Sequence, residues 1–254
     1  VSNLPDSIVR KLRKFRELRD FFRGLLYYCF RMPASFYPYA AKYLLKKESS
    51  VNLDVDQAEQ DWGEAFIEYR SSGVSSGNDF KLVWADTPKP GNFGDWLSPY
   101  IVSKFVDRPV SYVSSVKRPK FPHFVGLGSI LGGVNENSHV IGSGISRFDE
   151  IIDVRSTFHS VRGPYSAQRV RELGGPKIEI FGDPGFLLPT LYKPNQRSID
   201  TINQVLLVRH INHLNYSINN FDGMREFPIW AASSQKIELF IDEIANSRLV
   251  VTSA

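Results

Sequence analysis

Strand-like and helix-like segments alternate through the middle of the chain, and this alternation constrains the fold more than any other feature. Short apolar runs rich in β-branched residues lie at residues 81–85, 109–113, 123–127, 139–142, 157–161 and 178–181. Apolar residues at helical spacing lie at residues 96–106 and 165–173. Strands that alternate with helices predict a parallel sheet covered by helices, which is an α/β fold.

The same pattern starts again after a connector that ends near residue 200. Residues 204–208 and 226–232 are strand-like, residues 235–245 are helix-like, and residues 248–254 predict another strand. We therefore predict two Rossmann-like lobes, at residues 79–192 and 193–254, preceded by a basic helical extension and linker at residues 1–78. The last predicted strand is apolar and no helix follows it, so we expect the second lobe to be incomplete.

Composition excludes some classes of protein. No apolar run approaches the ~18 residues that a membrane-spanning helix needs, and the first residues lack the charged-then-apolar order of a secretory signal. The single cysteine, Cys29, excludes an internal disulfide and a cysteine-rich metal site. We expect a cytoplasmic protein.

The positive charge of the chain is concentrated at its start. Residues 1–47 hold eleven Lys or Arg against three acidic residues, while the whole chain carries +4, so the remainder is acidic. The apolar spacing from residue 6 to residue 30 predicts an amphipathic helix, which either contacts an anionic membrane at the inner face through residues 6–47 or packs on the neighbouring domain. Nucleic acid is not an expected partner, because no base-reading module is present and the body is acidic.

The stretch GNFGD at residues 91–95 lies between the first strand and the first helix of the α/β pattern. It places backbone N–H groups of Gly91, Asn92 and Gly94, and the carboxylate of Asp95, at the mouth of a βα unit. This order predicts a ligand site. The alternative is that the glycines form a turn and Asp95 caps the helix.

Two later stretches join GNFGD in a set: VRGPYSAQRVRELG at residues 161–174 and GDPGFLLP at residues 182–189. Together they resemble the signature of the polysaccharide pyruvyltransferase family, and GSGI at residues 142–145 also fits. The resemblance runs from about residue 81 to residue 254. The first 78 residues lie outside it.

The resemblance implies a fold similar to the two-lobed GT-B glycosyltransferases, with the active site between the lobes. It implies transfer of the enolpyruvyl unit of phosphoenolpyruvate to hydroxyls of a sugar, in a polysaccharide or its lipid-linked precursor, which yields a pyruvate ketal. It also implies an Arg-Leu-His-Gly type stretch after the final strand that helps to hold the donor. The printed sequence ends at Ala254, before that stretch.

Such a reaction needs cations for the donor, an acid for its methylene carbon and a base for the sugar hydroxyl. Arg162 follows a predicted strand and precedes a helix start, which suits an oxyanion, although pairing with Asp183 is the alternative. Asp95 is the predicted base. We also expect Gly91, Asn92 and Gly94 to contact substrate.

The first strand of the second lobe is followed by two further candidates. His210 lies at its carboxyl end, where an imidazole can donate a proton or bind phosphate across the cleft. Arg209, just before it, either binds substrate or forms a salt bridge. No ligand spacing suggests a metal site, and we expect no cofactor besides the donor substrate.

Two other functions fit the same sequence. One is a nucleotide-sugar glycosyltransferase of GT-B type, which would share the two-lobed architecture. The other is a catalytically silent module that binds a glycan or a partner protein. The identity of the donor discriminates between the predicted pyruvyltransferase and these two alternatives, since only the pyruvyltransferase would be stabilised by phosphoenolpyruvate.

Overall fold

The computed structural model describes residues 55–70, 78–86, 92–114, 118–198, 203–210 and 223–252. The chain divides into two units, Val1–Lys46 and Lys47–Ala254, and every described residue belongs to the second. The predicted basic helix and Gly91 lie outside the described residues. None of the described helices has the length and apolarity needed to cross a membrane.

Five parallel strands form the larger sheet, in the order β2-β1-β3-β4-β5. They are β1 (Phe80–Val83), β2 (Val110–Tyr112), β3 (His123–Val125), β4 (Ser138–Ile141) and β5 (Thr157–Ser160). Each coincides with a predicted strand. Short runs of β-branched and aromatic residues favour this conformation because their side chains pack on the pleated surface.

The sixth predicted strand, at residues 178–181, is wrong. Only Phe181 pairs with the sheet, through one parallel bridge to Val161. The pairing ends there because the neighbouring chain turns into a helix at Pro164, while the turn from Pro184 begins three residues after Phe181. Ile180 and Phe181 consequently remain exposed.

Five α-helices accompany the strands of the described residues: α1 (Val55–Arg70), α2 (Phe93–Phe105), α3 (Pro164–Glu172), α4 (Leu188–Leu191) and α5 (Ser234–Ala245). Helix α2 begins three residues earlier than predicted, because the side chain of Asn92 accepts a hydrogen bond from the Gly94 N–H at 3.0 Å. Asn92 is therefore the N-cap, and the predicted alternative of Asp95 as the cap is wrong.

The smaller sheet has three parallel strands in the order β7-β6-β8. They are β6 (Asn203–Arg209), β7 (Met224–Pro228) and β8 (Ser247–Thr252). Within the described residues, β8 is an edge strand whose apolar side chains Leu249, Val250 and Val251 are exposed, so the expectation of a buried strand there is wrong.

One apolar core joins the two sheets. Leu82 of β1, Trp96 of α2, Leu206 of β6 and Phe240 of α5 belong to the same buried cluster. Phe66 of α1 packs edge-on against Trp96, with ring centroids 5.0 Å apart. A second cluster lies on the other face of the larger sheet, under α3.

The architecture is α/β with parallel sheets, consistent with the predicted Rossmann-like class. The domain limits at residues 78 and 192 stay predictions. The shared core matters for function because it fixes the positions of the carboxyl edges of both sheets relative to helix α2.

Candidate active site

The carboxyl ends of the larger sheet carry a series of glycine-rich loops. Residues 126–128 follow β3, residues 142–144 follow β4, and Arg162 and Gly163 follow β5. The carboxyl ends of parallel strands meet at one edge of a sheet, and ligands of open α/β folds bind there. Glycine permits the backbone to approach a ligand or another loop closely at such positions.

Asp95 lies in the first turn of α2 and faces the loop after β3. A β-carbon on Gly128 would stand 3.5 Å from the Asp95 Oδ1 atom, and Gly128 has a φ of +105°, which favours glycine. Burial of the carboxyl group, and then the negative charge of Asp86, raise the pKa of Asp95 to about 7. Within the described part of the chain, the Asp95 carboxylate has no hydrogen-bond or ion-pair partner.

Two glycines connect Asp95 with Arg162. The carbonyl oxygen of Gly128 accepts hydrogen bonds from the Gly144 N–H at 3.0 Å and from the Ser143 hydroxyl at 2.9 Å. Gly144 in turn lies against the guanidinium of Arg162. Asp95 and Arg162, which are 67 positions apart in the sequence, therefore lie along one glycine-lined edge.

Arg162 is held by the loop after β4. Its backbone N–H donates to the Ser143 carbonyl at 2.9 Å, and its Nη2 donates to the Ile145 carbonyl at 3.0 Å. The predicted alternative, a pair with Asp183, is wrong, because Asp183 caps the turn at Pro184–Leu187 by accepting from the Gly185 N–H at 2.8 Å.

The guanidinium of Arg162 retains free hydrogen-bonding capacity. An arginine has five N–H donors, and this half-buried side chain makes no ion pair with any residue that the structure describes. The first turn of α3 starts at the next residues, and its N-cap, Gly163, supplies no side-chain oxygen. A cation beside an uncapped helix start suits an anionic group.

A pocket of about 230 Å³ opens beside Arg162. It is lined by residues of the loop after β4 and of the start of α3: Ile145, Ser146, Arg147, Phe148, Arg162, Gly163, Tyr165 and Ser166. Sequence reasoning missed Phe148 and Tyr165, because an exposed aromatic ring has the same sequence signal as a buried one.

The predicted residues of the second lobe lie at the end of β6. Arg209 is buried and donates from Nε to the Glu226 Oε1 at 2.5 Å, so its guanidinium ties β6 to β7. That arrangement matches the salt-bridge alternative for Arg209. Its contact with substrate stays a prediction. His210 is half-buried directly after the strand.

The start of α2 also reaches the smaller sheet. The Phe93 N–H donates to the carbonyl of Ile229 at 2.9 Å, and Ile229 follows β7 at its carboxyl end. The β6–β7 register ends with Arg209 paired to Pro228, so His210 and Ile229 are the residues that directly follow the two paired strand ends. The turn that carries Asp95 thus contacts both carboxyl edges, while the meeting of His210 with Asp95 and Arg162 in one pocket stays a prediction.

The described residues contain no cluster of three or more His, Cys, Asp or Glu side chains that could hold a metal ion. The absence of a cofactor stays a prediction.

Comparison with known proteins gives a family and one distant relative. The family model for polysaccharide pyruvyl transferase matches residues 12–254. An uncharacterized protein of Acanthamoeba polyphaga mimivirus is 32% identical over 101 residues, which cover 39% of this chain and 35% of that protein, so the match spans about a third of the relative's length. No solved structure matches the chain. The match confirms the resemblance seen in the sequence but corrects its extent, because it begins at residue 12 and the first 78 residues were expected to lie outside it. The chain belongs to the polysaccharide pyruvyl transferase family, which is a family of transferases.

Proposed function

We propose that this chain transfers a pyruvyl group from phosphoenolpyruvate to hydroxyls of a sugar, in a polysaccharide or its lipid-linked precursor, and forms a pyruvate ketal. The observation that carries the proposal is the arrangement of Asp95 and Arg162. A carboxyl group with a pKa of about 7 and a guanidinium with spare donors lie along one edge, linked through Gly128 and Gly144.

Arg162 binds the donor. Phosphoenolpyruvate carries a carboxylate and a phosphate, and the planar guanidinium binds either group through two parallel hydrogen bonds. The N–H groups at the start of α3 add positive potential at the same place. The backbone of Asn92, Gly94 and Gly144 contacts the donor. Gly91, which lies outside the described residues, is assigned the same contact.

Asp95 acts as the base. A proton enters the methylene carbon of the donor while a sugar hydroxyl forms a bond to C2 and gives its proton to the base. Asp95 passes that proton to an oxygen of the phosphate. A second hydroxyl then attacks C2 and gives its own proton to Asp95, while phosphate leaves with the electrons of the broken C–O bond. Asp95 releases the second proton to solvent, from which the acid regains the proton that it gave to the methylene carbon. A group with a pKa near 7 both accepts and returns a proton at neutral pH, which suits the two successive steps.

His210 supplies the proton for the methylene carbon from the smaller sheet. His210 and Ile229 directly follow the paired ends of β6 and β7, and Ile229 accepts a hydrogen bond from Phe93, two residues before Asp95, which supports this assignment. Arg209 pairs with Glu226 and so holds the end of β6 that leads into His210.

The two parallel sheets act as the two lobes of a GT-B architecture. The contact of α2 with the carboxyl edges of both supports this proposal. A crystal structure with phosphoenolpyruvate checks it, since the donor should lie between the sheets. A donor bound on the outer surface of one sheet would contradict it.

The basic segment at residues 6–47 contacts anionic membrane at the cytoplasmic face, where lipid-linked sugars are available. Its excess of Lys and Arg supports this role. Sedimentation with phosphatidylglycerol vesicles should be lost when Arg10, Lys11 and Arg13 are changed to Gln, while phosphoenolpyruvate binding stays intact. Equal sedimentation of the variant would remove the proposal.

The test of the main proposal is phosphate release from phosphoenolpyruvate with a glycan extract as acceptor. Arg162→Ala should lower the affinity for phosphoenolpyruvate at least about tenfold, in line with the loss of hydrogen bonds to a charged group. Arg155→Ala is the control, because Arg155 is exposed and pairs with Asp153 and Glu136. Stabilisation of the protein by a nucleotide sugar, and not by phosphoenolpyruvate, would assign the site to a glycosyltransferase instead.

A further inference from the structure

Two exposed aromatic rings stand beside Arg162 at the pocket. Phe148 is 74% exposed and Tyr165 is 66% exposed. Their ring centroids lie 5.6 Å apart and their planes meet at 89°, so the two rings form a corner. Adjacent exposed apolar side chains rimmed by polar groups are typical of binding sites.

The loop that carries Phe148 is held against α3. The Ile145 N–H donates to the Ser166 hydroxyl at 3.2 Å, and the Ser146 N–H donates to the Glu150 Oε2 at 2.8 Å. Arg169 of α3 donates from Nε to the Glu150 carbonyl at 2.8 Å. These bonds fix both ends of the loop, so the corner exists before a ligand binds and costs little ordering entropy on binding.

We propose that Phe148 and Tyr165 form a platform that binds one sugar ring of the acceptor glycan. This inference rests on the proposed function, in which the acceptor is a sugar. A pyranose ring has a face of C–H groups that packs on an aromatic face, while its hydroxyls point outward to polar partners. The corner offers one ring beneath such a sugar and a second ring against its edge.

The size and surroundings of the pocket favour a single sugar ring. Its volume of about 230 Å³ lies below the ~300–1,000 Å³ of sites for drug-sized ligands. Arg162 lines the same pocket, so a sugar on the platform has its hydroxyls next to the donor-binding cation. Arg147 lines the pocket and pairs at 3.3 Å with the exposed carboxylate of Asp149, so the two side chains offer donors and acceptors for further hydroxyls.

The test is saturation-transfer NMR on the full chain with lactose, cellobiose and N,N′-diacetylchitobiose as probes. At least one of these should receive saturation, most strongly at ring C–H protons. Phe148→Ala and Tyr165→Ala should each weaken that binding about five- to tenfold, as expected for the loss of an aromatic contact. Phe148→Tyr and Tyr165→Phe keep an aromatic ring at each position and should therefore retain sugar binding.

Phe105→Ala is the matched control. Phe105 is 60% exposed at the end of α2 and is not among the residues that line the pocket, so its loss should not change sugar binding. Binding of phosphoenolpyruvate is measured separately on each variant. One possible result is that sugar binding depends on Phe148 and Tyr165 while phosphoenolpyruvate does not bind to the protein. That result would support the platform and would refute phosphoenolpyruvate as the donor.

Three results would overturn the proposal that Phe148 and Tyr165 bind a sugar ring. One is unchanged sugar binding in both alanine variants. Another is the absence of binding by all three disaccharides. The third is a loss of phosphoenolpyruvate binding, with sugar binding intact, in the Phe148 and Tyr165 variants, which would make the pocket part of the donor site.

Discussion

The guanidinium of Arg162 lies directly against Gly144, where a β-carbon would stand 2.6 Å from the Cζ, Nε and Nη2 atoms of the arginine. Glycine at position 144 therefore sets where this cation sits. We expect Gly144→Ala to displace Arg162 and to weaken phosphoenolpyruvate binding about tenfold, comparable to the loss of a charged hydrogen bond. Isothermal titration calorimetry measures the change.

Gly63→Ala is the control for that substitution. Gly63 lies inside α1, away from the pocket lining, and nothing lies within 4 Å of an added β-carbon there. Its alanine variant should bind phosphoenolpyruvate as the unchanged protein does. Equal affinities for Gly144→Ala and Gly63→Ala would mean that the position of Arg162 does not govern donor binding.

The rate of the reaction should depend on the ionisation of Asp95. A base is active when deprotonated, so kcat/KM should rise as pH increases through the pKa of about 7. Asp95→Asn should lower the rate about 10²- to 10⁴-fold and remove this limb of the profile. A limb that persists in the asparagine variant would assign it to another group.

The stability of the fold should depend on the same carboxyl group. The pKa of Asp95 is raised from 3.8 to about 7 in the folded state, so the folded protein binds the proton more tightly than the unfolded chain. The stability from this preference is fully present below pH 3.8 and is lost as pH rises through about 7. The loss is on the order of a few kcal/mol by the usual conversion of a pKa shift.

Asp95→Asn isolates this contribution, because asparagine has a similar shape and no charge. Urea unfolding at pH 5 and pH 8 should show that the variant becomes more stable relative to the unchanged protein at the higher pH. The same difference in free energy of unfolding at both pH values would contradict a half-buried Asp95 carboxyl group that titrates near pH 7.

Helix α1 should contribute strongly to the stability of the unit that contains the two sheets. The buried carboxylate of Asp61 accepts hydrogen bonds from the Ala232 N–H at 2.9 Å and the Ser233 N–H at 3.4 Å, and from the Ser233 hydroxyl. Asp61→Ala leaves these donors buried without an acceptor and should cost roughly 2–4 kcal/mol. Glu64→Ala, at an exposed position on the same helix, is the control, and its free energy of unfolding in urea should change by less than ~0.5 kcal/mol.

Local patterns in the sequence predicted the strands of the larger sheet and the start of α3. Arg162 could be placed at a strand end because a strand signal and Gly163-Pro164 flank it. The prediction failed where distant contacts decide the outcome. Residues 178–181 have strand propensity, but only Phe181 finds a partner. Asp95 and Asn92 both suit an N-cap, and the Gly94 N–H bonds to Asn92.

By itself the sequence determined the α/β class, the family, and the positions of Asp95 near a helix start and of Arg162 after a strand, since these depend on short-range periodicity and on motifs contiguous in the chain. Only the tertiary structure decided that Gly128 and Gly144 join those two residues, that Arg209 is engaged with Glu226, and that Phe148 and Tyr165 stand exposed beside the pocket. The physical reason is that burial, pKa and hydrogen-bond partners depend on which distant segments pack together, and residue order does not encode that packing locally.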